Sequence, residues 1–163
     1  VMLSGETTTG KYPVDVVRYM GNICKNTEKF YNHDIKFENK RNLDTTEAIA
    51  SSVVSCSETL DTKAIVACTT SGYTANKISN LKPKNIIIAT CPSEEVVRSL
   101  ALSWGVYPVL VPLYKNTDEI VSTAKDKAIE MLDLKDGDHI IITGGFHIHN
   151  QEKTTNFLKV EQI

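Results

Sequence analysis

The commonest nucleotide loops are missing from this chain. No Gly-x-Gly-x-x-Gly follows an apolar run, and there is no Gly-x-x-x-x-Gly-Lys-Ser/Thr. No apolar run approaches the length of a membrane span. The opening Val1-Met2-Leu3-Ser4-Gly5-Glu6 lacks the basic region and the long apolar segment of a signal peptide. There is no basic excess either. Lysine and arginine number 18 against 20 aspartates and glutamates, and the pI is about 6.1. That balance argues against a nucleic-acid or membrane surface. Cysteine is sparse: Cys24, Cys56, Cys68 and Cys91 are spaced 32, 12 and 23 apart, which matches no zinc pattern. Cys56 and Cys68 read as small core hydrophobes, and a reducing cytoplasmic compartment fits them best.

What is present is an ordinary globular composition, 41% hydrophobic and 23% charged over 163 residues. One domain with an appendage is the default, and the length suffices for a core without staples. No initiator methionine precedes Val1, and the opening reads as mid-chain, so a piece of a longer chain is expected.

The most informative stretch is Thr69-Thr70-Ser71-Gly72-Tyr73-Thr74. It follows Ala64-Ile65-Val66-Ala67-Cys68, which reads as a buried strand, and precedes a short helix over 75–81. Hydroxyls and a glycine at a strand-to-helix corner suit a phosphate. The helix start offers free N–H groups and a positive dipole end, and glycine lets an anion approach the backbone. The same residues are also ordinary helix N-caps, so both readings stand.

Residues 1–10 read as a polar loop. Pro13 opens a helix to about Phe30 with Val16, Met20, Ile23 and Cys24 on one face. The segment from Asn32 to Asn42 has no period and reads as a junction. Asp44-Thr45-Thr46-Glu47 is a capping-box-like start for a helix carrying Ile49, Val53, Cys56 and Leu60. Lys82-Pro83 stops the helix after the hydroxyl corner. Residues 86–90 form a second strand. Pro92-Ser93 opens a helix with Val96, Val97, Leu100 and Ala101 inward and Gly105 as its stop. Residues 106–111 form a third strand, with Pro108 marking an end or edge. A long helix from Asn116 turns Ile120, Ala124, Ala128, Ile129 and Leu132 inward. Residues 140–143 form a fourth strand, and 156–160 alternate as a half-exposed fifth.

This order predicts an α/β fold: a parallel sheet covered on both faces, with an antiparallel edge strand at the end, because no helix separates the last two strands. Ligands in such sheets bind beyond the carboxyl ends of the strands. The corner at 69–74 and the loop at 144–155 face one pocket if their strands are neighbours.

Several of these residues resemble one family. Val1-Met2-Leu3-Ser4-Gly5-Glu6-Thr7 and Gly10-Lys11-Tyr12-Pro13 look like the segment that closes the catalytic barrel of the pyruvate kinases. Thr46-Glu47-Ala48-Ile49-Ala50 resembles the first helix of that family's C-terminal domain. The hydroxyl corner followed by Ala75, Tyr107-Pro108-Val109, and Gly137-Asp138 before a strand fit in order. The resemblance covers essentially the whole chain. It implies a three-layer α/β/α sandwich with a five-stranded mixed sheet whose last strand is antiparallel. It implies residues 1–30 as the last loop and helix of the barrel and 31–163 as a C-terminal regulatory domain.

The resemblance also implies a parent enzyme that transfers phosphate from phosphoenolpyruvate to ADP, using Mg2+ and K+ in the barrel. No catalytic residues fall in this chain, which is expected to be inactive alone. The implied partners are the catalytic barrel, other copies in a tetramer, and a phosphorylated effector; no nucleic acid or membrane is implied. By position, Thr69, Ser71 and Thr74 match the hydroxyls that hold the effector's phosphate, within the corner Thr69, Thr70, Ser71, Gly72, Tyr73 and Thr74. The second effector loop departs from the animal and yeast pattern. It reads 145–153 as Gly-Phe-His-Ile-His-Asn-Gln-Glu-Lys, with no arginine to grip a second phosphate, and Tyr73 stands where an arginine is frequent. A sugar monophosphate, a nucleotide monophosphate and no effector at all stay open, with Gly145, His147, His149 and Lys153 as the second-loop candidates. The ending at 154–160 looks bacterial.

Other signals have plainer readings. The His147 and His149 pair is expected on the surface rather than on a metal. Glu94 and Glu95 favour a helix dipole, Asp136 and Asp138 flank a turn, and Trp104 packs. Ser4 and Glu6 form no triad or dyad. The alternatives are a stand-alone phospho-ligand-binding α/β module and a purely structural subunit-interface domain.

Overall fold

The computed structural model describes residues 1–31, 43–145 and 155–163. The chain divides into two compact units, Val1–Asp34 and Ile35–Ile163.

In the first unit, α1 (Gly5–Thr8) is a single turn where a loop was expected, and the Thr7 and Thr8 hydroxyls bond back to the Ser4 carbonyl. The helix α2 (Pro13–Glu28) begins on Pro13 with Asp15 in its first turn, where a missing N–H costs nothing and a carboxylate meets the dipole. Val16, Met20 and Cys24 are half-buried, but Ile23 is exposed, contrary to the expected face.

The second unit is a five-stranded sheet in the order β3-β2-β1-β4-β5. Its elements are α3 (Thr45–Thr59), β1 (Ala64–Cys68), α4 (Tyr73–Asn80), β2 (Ile86–Cys91), α5 (Glu94–Leu100), β3 (Val106–Leu110), α6 (Thr117–Met131), β4 (His139–Gly144) and β5 (Phe157–Gln162). β1 through β4 are parallel, and β5 runs antiparallel to β4 at an edge, as expected. β3 is the other edge, which tolerates Pro108 because its missing donor faces outward.

The strands read as apolar runs because both faces are covered. Ile65, Ala67, Ile87, Ala89 and Ile141 pack with Val53, Val54, Ala75, Ile78 and Leu100 from α3, α4 and α5. Ala64, Val66, Ile88, Ile140 and Ile142 pack with Ile120, Ala124 and Ala128 of α6. Alternate residues of one strand thus belong to different cores, giving three layers. The chain steps outward from β1 to β2 and β3, and α6 then returns across the opposite face to β4.

Three inward assignments fail. Leu60, Ala101 and Ile129 are exposed. On α3 the buried stripe is Thr46, Ala50, Val53, Val54 and Ser57, rotated from the expected one because the two hydroxyls find partners inside. α5 stops at Leu100, where Ser103 N–H takes its carbonyl. Gly105, at φ +68°, serves the entry to β3 instead, its carbonyl accepting from Ile87 N–H.

Candidate functional site

β1 and β4 are neighbours, with Cys68 opposite Gly144. The strand order reverses between them, so the crevice beyond their carboxyl ends is the topological switch point where open α/β sheets bind ligands. The hydroxyl corner leaves β1 at this point.

The corner is built by its own hydrogen bonds. Thr69 N–H donates to the Thr90 carbonyl at 3.0 Å, and Thr69 Oγ1 accepts from Gly72 N–H at 3.0 Å. Gly72 adopts φ 81°, a left-handed conformation that side chains resist, and α4 starts at Tyr73, two residues before the expected start. No side chain caps α4. Among the described residues, the N–H groups of Tyr73, Thr74 and Ala75 have no acceptor, and the exposed hydroxyls of Thr70 and Ser71 have no partner. These five groups are what the corner offers an anion.

Thr69 and Thr74 are placed differently, for both are buried. Thr74 Oγ1 lies 2.6 Å from Thr155 Oγ1, and Thr155 N–H donates to Thr46 Oγ1 at 3.1 Å. Tyr73 lies beside the start of α3: its hydroxyl donates to Asp44 Oδ2 at 3.4 Å, and Lys77 Nζ stands 5.2 Å from its ring centre. Lys77 donates to Glu47 at 2.8 Å. The capping box of α3 is complete, with Glu47 N–H on Asp44 at 2.7 Å and Asp44 N–H on Glu47 at 3.3 Å. The Lys77 hydrogen bond, aided by Asp44 N–H, holds the Glu47 carboxyl below its usual range, and Glu47 in turn raises Lys77.

Behind the corner, on the α6 face, Tyr114 OH donates to Thr90 Oγ1 at 2.7 Å. Burial pushes the Cys68 thiol up to about 11 and also raises Tyr114. Such a thiol is packing, not a nucleophile.

Of the second-loop candidates, Gly145 follows β4 directly, while His147, His149 and Lys153 lie outside the described residues. No group of three or more metal-ligating side chains is found among the described residues. Thr46 and Thr155 are partners of the corner that no sequence pattern marks. The cap motif identified the start of α3, but nothing local tells that Thr155, 109 residues on, bonds to it.

The family described as "Pyruvate kinase, alpha/beta domain" matches residues 47–161. The chain belongs to this family. It is 38% identical over its whole length to a pyruvate kinase of Clostridium acetobutylicum and covers 35% of that protein. It is 41% identical to a pyruvate kinase of Lactobacillus delbrueckii subsp. bulgaricus, over 99% of this chain and 28% of that one. A crystal structure of a pyruvate kinase from Cryptosporidium parvum superposes with a TM-score of 0.81 at 29% identity, covering 99% of this chain and 32% of that one. The chain thus spans about a third of the length of the relatives it matches. The alpha/beta fold expected from the sequence is the one this family has.

Proposed function

We propose that the chain is the regulatory and oligomerisation domain of a pyruvate kinase and that it binds a phosphorylated effector at 69–74. The parent enzyme transfers phosphate from phosphoenolpyruvate to ADP, giving pyruvate and ATP. On this reading the catalytic barrel, with its Mg2+ and K+, lies outside residues 31–163, and the chain is inactive by itself. The parent enzyme works in the cytoplasm, a reading supported by the four free cysteines of this chain.

One observation carries the effector reading. The N–H groups of Tyr73, Thr74 and Ala75, without an acceptor among the described residues, and the exposed Thr70 and Ser71 all lie in the corner that follows β1, next to β4. The corner 69–74 itself carries no charged side chain, which suits one phosphate group better than two. A sugar monophosphate or nucleotide monophosphate is the effector class. The competing reading, a purely structural subunit-interface domain, is favoured by a different observation: Thr69 and Thr74 already have partners inside the protein.

Calorimetric titration with fructose 1,6-bisphosphate, glucose 6-phosphate, ribose 5-phosphate and AMP separates the two. Saturable binding of one monophosphate, lost in Ser71→Ala, is the expected result. Silence across the panel rejects this chain as a competent effector site and leaves the structural reading.

A further inference from the structure

A phosphate group brings roughly two negative charges to a corner whose own side chains carry none. Among the described residues, a cation does reach that corner. Lys77 lies one turn along α4 from Tyr73, and residues four apart share a helix face. Its side chain runs back toward the helix start, as helical side chains do, and Nζ stands 5.2 Å from the centre of the Tyr73 ring. There Glu47 of α3 holds it, Nζ donating to Oε1 at 2.8 Å. Glu47 has a second bond, since Oε2 accepts from Asp44 N–H at 3.3 Å. The Lys77 and Glu47 side chains are 26% and 36% exposed, so water screens their attraction and the pair is weak.

We propose that Lys77 is a reserve cation for the phosphate corner, neutralised by Glu47 in the free chain and transferred to the ligand when a phosphate binds. The inference rests on the effector reading above and adds to it a residue from outside 69–74. Lysine suits this exchange. Its compact ammonium carries three donors on a flexible stem, so it turns from carboxylate to phosphate with no backbone movement. The phosphate wins because it carries more charge than a carboxylate and is held at the same time by the N–H groups at the start of α4. Glu47 is not stranded, since it keeps Asp44 N–H and remains open to water. Glu47 therefore competes with the ligand for one ammonium, and the affinity of the corner depends on that competition.

The test is titration of the whole chain with inorganic phosphate, followed through the amide resonances of Tyr73, Thr74 and Ala75. Lys77→Met is expected to weaken phosphate about tenfold, the scale of one hydrogen bond to a charged group. Glu47→Gln, which still caps Asp44 N–H, is expected to tighten it about threefold, the scale of a partly exposed ion pair. The double variant should bind as weakly as Lys77→Met alone, because Glu47 acts only through Lys77.

Lys77→Met that binds phosphate like the parent overturns the inference and leaves the effector reading intact. So does Glu47→Gln that binds no tighter than the parent, or a gain from Glu47→Gln that survives in the double variant. Amides of the parent chain that ignore phosphate overturn both. Should Lys77→Met fail to fold, the parent chain decides. Its Lys77 ε-methylene resonance should move with phosphate in step with the three amides, and a resonance that stays in place overturns the inference.

Discussion

Gly144 lies against Cys68 so closely that a methyl group on it would fall 2.8 Å from the Cys68 carbonyl oxygen and 3.1 Å from the Phe157 ring. The two residues are register partners at the carboxyl ends of β1 and β4. An alanine there has no side chain to bend away from the backbone, so the strand ends must part. Gly144→Ala is expected to cost about 1–3 kcal/mol, as overpacking does. A urea unfolding midpoint checks the stability. Loss of phosphate binding beyond that of the stability-matched Ile142→Val would show that the crevice between the strands matters to the corner.

Gly72→Ala is the second prediction. The left-handed backbone penalises a side chain by roughly 1–2 kcal/mol, and the added Cβ would sit 3.2 Å from Leu100 Cδ2. The melting temperature should fall by several degrees. Gly21→Ala provides the contrast. It lies within α2, and an added Cβ there meets nothing within 4 Å, so helix content should rise.

The Glu47–Lys77 pair makes stability depend on pH. The Glu47 pKa is lowered in the folded state, chiefly by Lys77, so its contribution is present above the ordinary glutamate range. It is lost as pH falls through the depressed folded value. Lys77 is raised above 10.5, so its share holds below the ordinary lysine value and is lost only at higher pH. Glu47→Gln keeps a side chain able to cap Asp44 N–H but removes the charge. Urea midpoints of the two proteins should differ at neutral pH and converge in strong acid. A constant gap would reject the pair as the cause.

Thiol reactivity should follow burial. Burial pushes Cys68 and Cys91 up to about 11, whereas Cys24 and Cys56 are only partly covered. At pH 8 a thiol reagent should modify Cys24 and Cys56 quickly and Cys68 and Cys91 only on unfolding. Mass spectrometry of the labelled peptides reads the order directly.

The sequence by itself determined the strands, their parallel direction and the antiparallel edge, but not which strands are neighbours. Apolar runs such as Ile86-Ile87-Ile88 suit only a sheet covered on both faces, and cap residues such as Asp44 act over three positions. It also located the corner, since hydroxyls and a glycine between a strand and a helix form a local pattern. Tertiary structure alone decided which hydroxyls remain available. Thr69, Thr70, Ser71 and Thr74 look equivalent in sequence. Thr74 turns inward because Thr155 meets it, and that meeting depends on β5 pairing with β4 beside β1. The rotated stripe of α3 has the same origin: Thr46 is buried because its partner Thr155 arrives from the far end of the chain. Periodicity reports which side chains are apolar, but burial of a hydroxyl depends on a partner, and partners far apart in sequence meet only in the folded sheet.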